Sequence, residues 1–338
     1  MGVDPRRIIK RGAAVFAALL FLFPAAGCSA GNDGVAAQER KDAETPSDIT
    51  LLTIGTADSG GSMFAAGAAV AAQMNIEDDT FRFNINASTG SVQNIYDLLE
   101  GRIDLALVSA SVANDAVNGR GAFENREAED LRAVGALYTS VSNWMVRADS
   151  EIRYVHDLMG KRAAVGPEGS ATELAGRTAL RACGIDPSGD GFVNAGLGSG
   201  ADSVEDGSLD AVHGFAGVPV PGLLRLAGNV PCRLIGYSEE EIRAVLDEND
   251  AYTSVMIPAG SYPGQDEEVR SFGSKCILCV DRDMDETLVF RLAELLDEGR
   301  GPLSENGGLL SELAADGFMT EGLPVPLHPG AERYFREH

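Results

Sequence analysis

The chain has 338 residues, 44% hydrophobic and 23% charged, with 51 acidic against 27 basic side chains and a net charge of −24. That length holds a sizeable core and points to two domains rather than one, and the composition excludes a disordered chain. The acidity excludes a nucleic-acid partner, which needs a basic face, and 40 glycines without a Gly-x-y period mean tight loops rather than collagen.

Residues 1–27 read as a signal peptide. Arg6, Arg7, Lys10 and Arg11 precede an apolar run from Gly12 to Phe23 that is short for a membrane span. Ala25-Ala26-Gly27-Cys28 then resembles the lipobox of bacterial lipoproteins, in which the cysteine is lipidated and becomes the new N-terminus. The alternative is an ordinary cleaved signal with an incidental cysteine. Both readings take the mature chain out of the cytoplasm, at a charge of −27 once the leader's four basic residues and one acid are removed. Residues 28–48 read as a lipidated N-terminus and flexible polar tether.

The folded part alternates strand and helix signals. Ile49–Ile54 is a strand and Met63–Met74 a helix of small residues. Phe81–Ile85 is a strand, Val92–Glu100 a helix and Leu105–Val108 a strand. This βαβαβ order implies parallel strands. The plan returns with strand Arg162–Val165, helix Thr172–Ala182, a helical segment ending at Ser203–Asp206, and strand Ala211–Phe215. Gly101-Arg-Ile-Asp104 and Gly207-Ser-Leu-Asp210 echo each other, each after a helix and before an apolar strand. Leu137–Arg147 and Lys275–Val280 are the strands expected to link the halves, and the amphipathic Leu288–Leu296 helix would pack back on the first. Lobe I is thus 49–143 with 277–338, and lobe II is 144–276. Trp144 belongs either to the hinge or to the core. Two lobes joined by two crossing strands enclose a cleft.

Three loops stand before helices: Gly55-Thr-Ala-Asp-Ser-Gly60-Gly61-Ser62, Ala87-Ser-Thr89-Gly90-Ser91, and Gly166-Pro-Glu-Gly169-Ser170-Ala171-Thr172. The first approaches P-loop spacing but has Gly61 where the lysine is required, which excludes a nucleotide. Glycine loops at helix starts present N–H groups to a small anion, or serve only as helix caps. A leucine at Gly169 is expected to enter the third loop.

Gly196-Leu-Gly-Ser199-Gly200 is not a G-x-S-x-G elbow, and His156, His213, His328 and His338 have no spacing that identifies a base. His328, in a Pro-rich tail, is expected to be exposed. Cys276 and Cys279 should face opposite sides of one strand. No zinc motif is present, so neither metal nor cofactor is expected. A Cys183–Cys232 bridge is permitted outside the cytoplasm.

From Leu51 to Phe335 the chain resembles the TAXI-type solute receptors of tripartite ATP-independent periplasmic (TRAP) transporters. The likeness lies in Ile54-Gly-Thr56 with Gly60-Gly61, Ser88-Thr-Gly-Ser-Val-Gln-Asn94, Gly101-x-Ile-Asp-Leu-Ala106, Val146-Arg-Ala-Asp-Ser150 and Asp157-Leu-Met-Gly-Lys-Arg162. Gly169-Ser170-x-Thr172-Glu173, Ile257-Pro-Ala-Gly-Ser-Tyr-Pro-Gly-Gln265 and Pro326-Leu-His-Pro-Gly-Ala331 continue it. The resemblance implies a type II periplasmic binding protein fold without catalysis. Such a monomer captures a small organic anion, glutamate-like or a dicarboxylate such as 2-oxoglutarate, and delivers it to fused membrane permease subunits. The implied ligand positions are Gly60, Gly61, Ser62, Met63, Phe64, Ser88, Thr89, Gly90, Ser91, Gly169, Ser170, Ala171, Thr172, Glu173 and Gln265, the last equally a hinge-fixing residue. Three positions depart from the family: Asp58, which would repel a dianion or bind an ammonium; Met63-Phe64 in place of a tyrosine pair; and Gln93 in place of an acid. The alternatives are a sensory binding protein serving a membrane kinase and a secreted hydrolase using the same cleft.

Overall fold

The computed structural model describes residues 49–59, 61–305 and 308–338. The expected signal peptide, the Cys28 lipidation site and the tether lie outside the described residues.

Strand β1 (Thr50–Gly55) leads into helix α1 (Ser62–Glu77), then β2 (Phe81–Asn86), α2 (Ser91–Leu99), β3 (Leu105–Ser109) and α3 (Ala110–Val117). The long β4 (Leu131–Arg147) follows. A second series comprises β5 (Ala163–Gly166), α4 (Ala171–Ala182), β6 (Phe192–Asn194), α5 (Leu197–Glu205), β7 (Ala211–Ala216) and α6 (Pro221–Asn229). Then come β8 (Cys232–Ile235), α7 (Glu239–Glu248), β9 (Thr253–Ile257), β10 (Val269–Asp281), α8 (Glu286–Glu298), α9 (Arg300–Glu305), a 3-10 turn (Gly308–Ala314) and α10 (Pro329–Glu337).

Among the described residues the strands form one sheet in the order β2-β1-β3-β10-β4-β7-β5-β6, with β8 on β4 and β9 on β10. β1 lies between β2 and β3, parallel to both, and β5 lies between β6 and β7, parallel to both. The duplicated plan read from the sequence is therefore a duplicated topology. Its short echo has a shared physical cause. Gly101 and Gly207 turn at φ +68° and +81°, a region glycine occupies without steric cost. Asp104 then accepts from Thr53 N at 2.7 Å, and Asp210 accepts from Arg162 N at 2.8 Å. Each aspartate ties the third strand of its half to the chain at the first strand, so the echo is a folding device.

β4 and β10 run through both halves. β4 pairs with β10 over Leu131–Val141 and with β7 over Val141–Val146, while β10 pairs with β9 over Val269–Gly273 and with β3 over Cys276–Cys279. A Cβ on Gly273 would stand 2.8 Å from Ser140 O, so a glycine is needed where the two strands cross. β4 begins six residues before the expected Leu137, and β10 begins at Val269 rather than Lys275. Gly135 and the polar Arg270 and Ser271 interrupt the apolar runs from which the ends were read.

The core divides into four clusters, one on each sheet face in each half. Val289, Leu292 and Leu296 of α8 pack with Leu52 and Ile54 of β1, as the amphipathic pattern required. Trp144 is fully buried in the second half, resolving its two readings in favour of the core. Cys276 joins the cluster on one face of β10 and Cys279 the cluster on the other. Cys183 and Cys232 are both free thiols. Cys183 ends α4 beside one cluster and Cys232 opens β8 in the cluster on the opposite face, which keeps them unbridged. His328 is not exposed. It is fully buried, with Nδ1 accepting from Gly330 N at 3.2 Å as the cap of α10.

Candidate ligand-binding site

The starts of five helices, two from the first half and three from the second, surround one cavity of about 110 Å³ between the halves. Its floor is the strand crossing, through Tyr138 and Ser140 of β4. The halves meet directly above it, since a Cβ on Gly90 would lie 3.5 Å from Ser170 Cα.

The first loop leaves β1 and turns through a bond from Gly61 N to Asp58 O at 2.8 Å. Gly61, Ser62 and Met63 line the cavity, with Asp58 at its mouth. Gly60 lies outside the described residues. Phe64 is half-buried and does not face the cavity. The small side chains of α1 allow this placement: Gly67 packs so close to Thr56 that a Cβ would come within 2.6 Å of Thr56 Cγ2.

In the second loop Thr89, Gly90 and Ser91 line the cavity. Ser88 turns away: its hydroxyl lies 2.8 Å from Thr56 O and 2.7 Å from Asn94 Oδ1, and accepts from Gly90 N at 2.9 Å. Asn94 in turn donates to Thr56 O and Leu107 O at 2.6 and 2.8 Å. The Ser88–Asn94 stretch thus staples the second loop to the first. Gln93 accepts from Thr89 N at 2.9 Å, an anchoring role that needs an acceptor but no charge. Ser91 is fully buried and accepts from Ser109 N at 3.0 Å.

In the third loop Ser170, Ala171 and Thr172 line the cavity, joined by Pro167. Gly169 does not. Its Cβ position faces open space, so the expected intrusion of a leucine into the loop is not met. The glycine is required instead by its φ of +73°. Glu173 is a brace behind the loop: it accepts from Gly169 N at 2.7 Å and pairs with Arg177 at 2.8 Å. Burial opposes its ionisation, but hydrogen bonds from Asn194, Arg177 and Gly169 outweigh it and hold the carboxyl below the usual range.

Gln265 also lies outside the cavity lining. Its Nε2 donates to Pro258 O and Glu267 O at 3.0 and 2.9 Å, closing the loop after β9. Within that loop Tyr262 accepts from Val220 N at 2.8 Å and donates to Asn143 Oδ1 at 3.0 Å. The family-like Ile257–Gln265 stretch therefore buttresses the cavity wall from behind.

The wall itself was missed by sequence reasoning. Leu197 at the start of α5, Phe215 and Ala216 of β7, and Val220 and Pro221 at the start of α6 supply it. The available signal was Pro221, which opens a helix at the position proline favours. Ser199, near the wall, spends its hydroxyl on Gly196 O at 3.0 Å and is exposed. Behind Thr172 stands His213, whose Nδ1 lies 3.0 Å from Thr172 O and whose Nε2 lies 2.9 Å from Ser142 Oγ. Its ring packs against Trp144, tilted by 30° at 4.5 Å between centroids, and burial lowers its pKa to about 4. Among the described residues no group of three or more His, Cys, Asp or Glu could hold a metal ion, and no helix is long and apolar enough to cross a membrane.

A family model described as NMT1-like matches residues 54–338. Among solved structures, a protein from Bordetella bronchiseptica RB50 is 13% identical, with 85% of this chain and 83% of that one covered at a TM-score of 0.51. The periplasmic aliphatic sulphonate binding protein SsuA from Escherichia coli is 15% identical over 87% of this chain and 80% of its own, at a TM-score of 0.44. A putative L-cystine ABC transporter protein from Listeria monocytogenes is 14% identical over 81% and 100%, at 0.46. The expected α/β architecture, two halves joined by strands that run through both, is the one found.

Proposed function

Since the chain belongs to the NMT1-like family, we propose that it is an extracytoplasmic solute-binding protein that traps a small carboxylate by closure of its two halves and hands it to a membrane permease. The observation that carries this reading is the cavity between the halves, lined by helix starts from both. First-turn N–H groups lack helical partners and suit an anion without any basic side chain. The lobes are 49–143 with 277–338, and 144–276, with the Ser140–Gly273 crossing as hinge. A closed form that only the ligand stabilises is a shape a permease can read.

The finer reading follows the sequence resemblance. The permease is of the TRAP type with fused subunits, the receptor is a TAXI-type monomer anchored through lipidated Cys28, and the protein has no catalytic role. Mass spectrometry of the membrane-extracted protein tests the anchor: a diacylated N-terminal Cys28 supports it and a free mature N-terminus elsewhere removes it.

The binding role is tested by thermal shift against amino acids, monocarboxylates and dicarboxylates. At a hundred times Kd a ligand specific to the folded state adds about 2.7 kcal/mol of stability. No rise in Tm with any member at millimolar concentration sinks the reading.

A further inference from the structure

The cavity lining has a one-sided charge inventory. Asp58 is its single charged side chain, and no Lys, Arg or His is among the described residues that line it. Asp58 is exposed at the mouth, and its carboxylate makes no hydrogen bond or ion pair among the described residues. The loop that carries it also opens α1, whose first turn has no side-chain cap, and α2 across the cavity is likewise uncapped. Ser62, at the start of α1, is 6% exposed, lines the cavity, and has a hydroxyl without a partner among the described residues. The residue is otherwise enclosed, and its unpartnered hydroxyl is free to donate to a group that enters the cavity. The rest of the lining includes an apolar wall of Leu197, Phe215, Ala216, Val220 and Pro221.

Resting on the solute-binding reading above, we propose that the ligand is a zwitterionic amino acid with an apolar side chain, and that Asp58 is the residue that selects its ammonium group. The α-carboxylate lies on the uncapped starts of α1 and α2 with the Ser62 hydroxyl donating to it. Each helix start supplies about half a positive charge, enough for one carboxylate. The ammonium sits on the next carbon but one from those oxygens, so both ends of the zwitterion are met by one loop, at Ser62 and at Asp58. The side chain then faces the apolar wall. A dicarboxylate fits worse on two counts. Its second carboxylate would be pressed against Phe215 and Leu197 with no cation to pair it, and its total charge would be repelled by Asp58.

Calorimetric titration of the mature chain with four probes tests this. Valine carries both charges and an apolar end, isovalerate lacks the ammonium, and glutamate and 2-oxoglutarate carry a second carboxylate. Valine is expected to bind at least tenfold more tightly than each of the others. Asp58→Asn should cut valine affinity at least tenfold and leave or improve that of isovalerate. Asp58 has no internal side-chain partner to lose, so Tm should hold. Tighter binding of glutamate or 2-oxoglutarate than of valine overturns the charge assignment while the solute-binding reading stands. Unchanged valine affinity in Asp58→Asn removes the residue's role. If all four probes and the twenty amino acids fail to bind, the solute-binding reading falls as well.

Discussion

The two sides of the cavity are built on different principles. The glycine and serine loops before α1, α2 and α4 present backbone and hydroxyls, and several of their polar groups are committed to holding one loop to another. The wall from α5, β7 and α6 presents Leu197, Phe215 and Val220, which belong at the same time to the hydrophobic core. One side contributes to stability through local caps and loop-to-loop bonds; the other is continuous with the folding core. Chemistry for an anion is therefore separable from stability at uncapped positions of the loop side, such as Ser62, and inseparable from it on the wall side.

The largest test of that contrast is Phe215→Ala. Phe215 is 6% exposed, meets Tyr252 edge-on at 6.3 Å and Phe272 at 5.9 Å, and truncation should cost about 3 to 5 kcal/mol in urea unfolding. A loss under 1 kcal/mol would mean the wall is not part of the core. Next is pH. His213, in β7 behind the third loop, is lowered from 6.5 to about 4 by burial. A depressed pKa means that the unfolded chain binds the proton first. The stabilisation is whole above pH 6.5 and is lost as pH falls toward 4. Between pH 8 and pH 5 the wild type should lose about 2 kcal/mol more than His213→Gln. Equal losses would show that His213 is solvated.

The smallest effects separate two serines that look alike in sequence. Ser170 accepts from Glu173 N at 3.1 Å as the cap of α4, and Ser170→Ala should cost about 1 kcal/mol of stability. Ser62 caps nothing, and Ser62→Ala should stay within about 0.5 kcal/mol of wild type while weakening ligand binding about fivefold. Equal stability losses in the two variants would erase the distinction between brace and binding group.

Much of the architecture was legible because periodicity and glycine placement are local. The two βαβ series, the crossing strands and the return of α8 follow from runs of a few residues each. The loops facing the cavity were legible for the same reason: of the described residues expected there, Gly61, Ser62, Met63, Thr89, Gly90, Ser91, Ser170, Ala171 and Thr172 do line it. Glu173, Ser88 and Gln265 brace the loops instead of lining the cavity, because a polar side chain beside a pocket motif is as useful for bracing as for binding, and only geometry tells the two apart. Leu197, Phe215 and Val220 gave no signal at all, since an apolar residue on a wall has the same pattern as one in a core. His328 was hidden by its prolines, which open a helix there rather than mark a loose tail.

The two thiols of β10 have a use that follows from their alternation. Cys276 and Cys279 are fully buried on opposite faces of a strand that runs through both halves, and burial raises both, Cys276 to about 12. Both are therefore protonated and shielded at neutral pH, and neither reacts until the helices over its own face lift. The strand thus carries a pair of clocks, one per layer, and alkylation of each keeps time for a different face of the sheet. A motion that bends the sheet about its crossing without parting it from its helices would leave both clocks stopped, whereas peeling of a single layer would start only one.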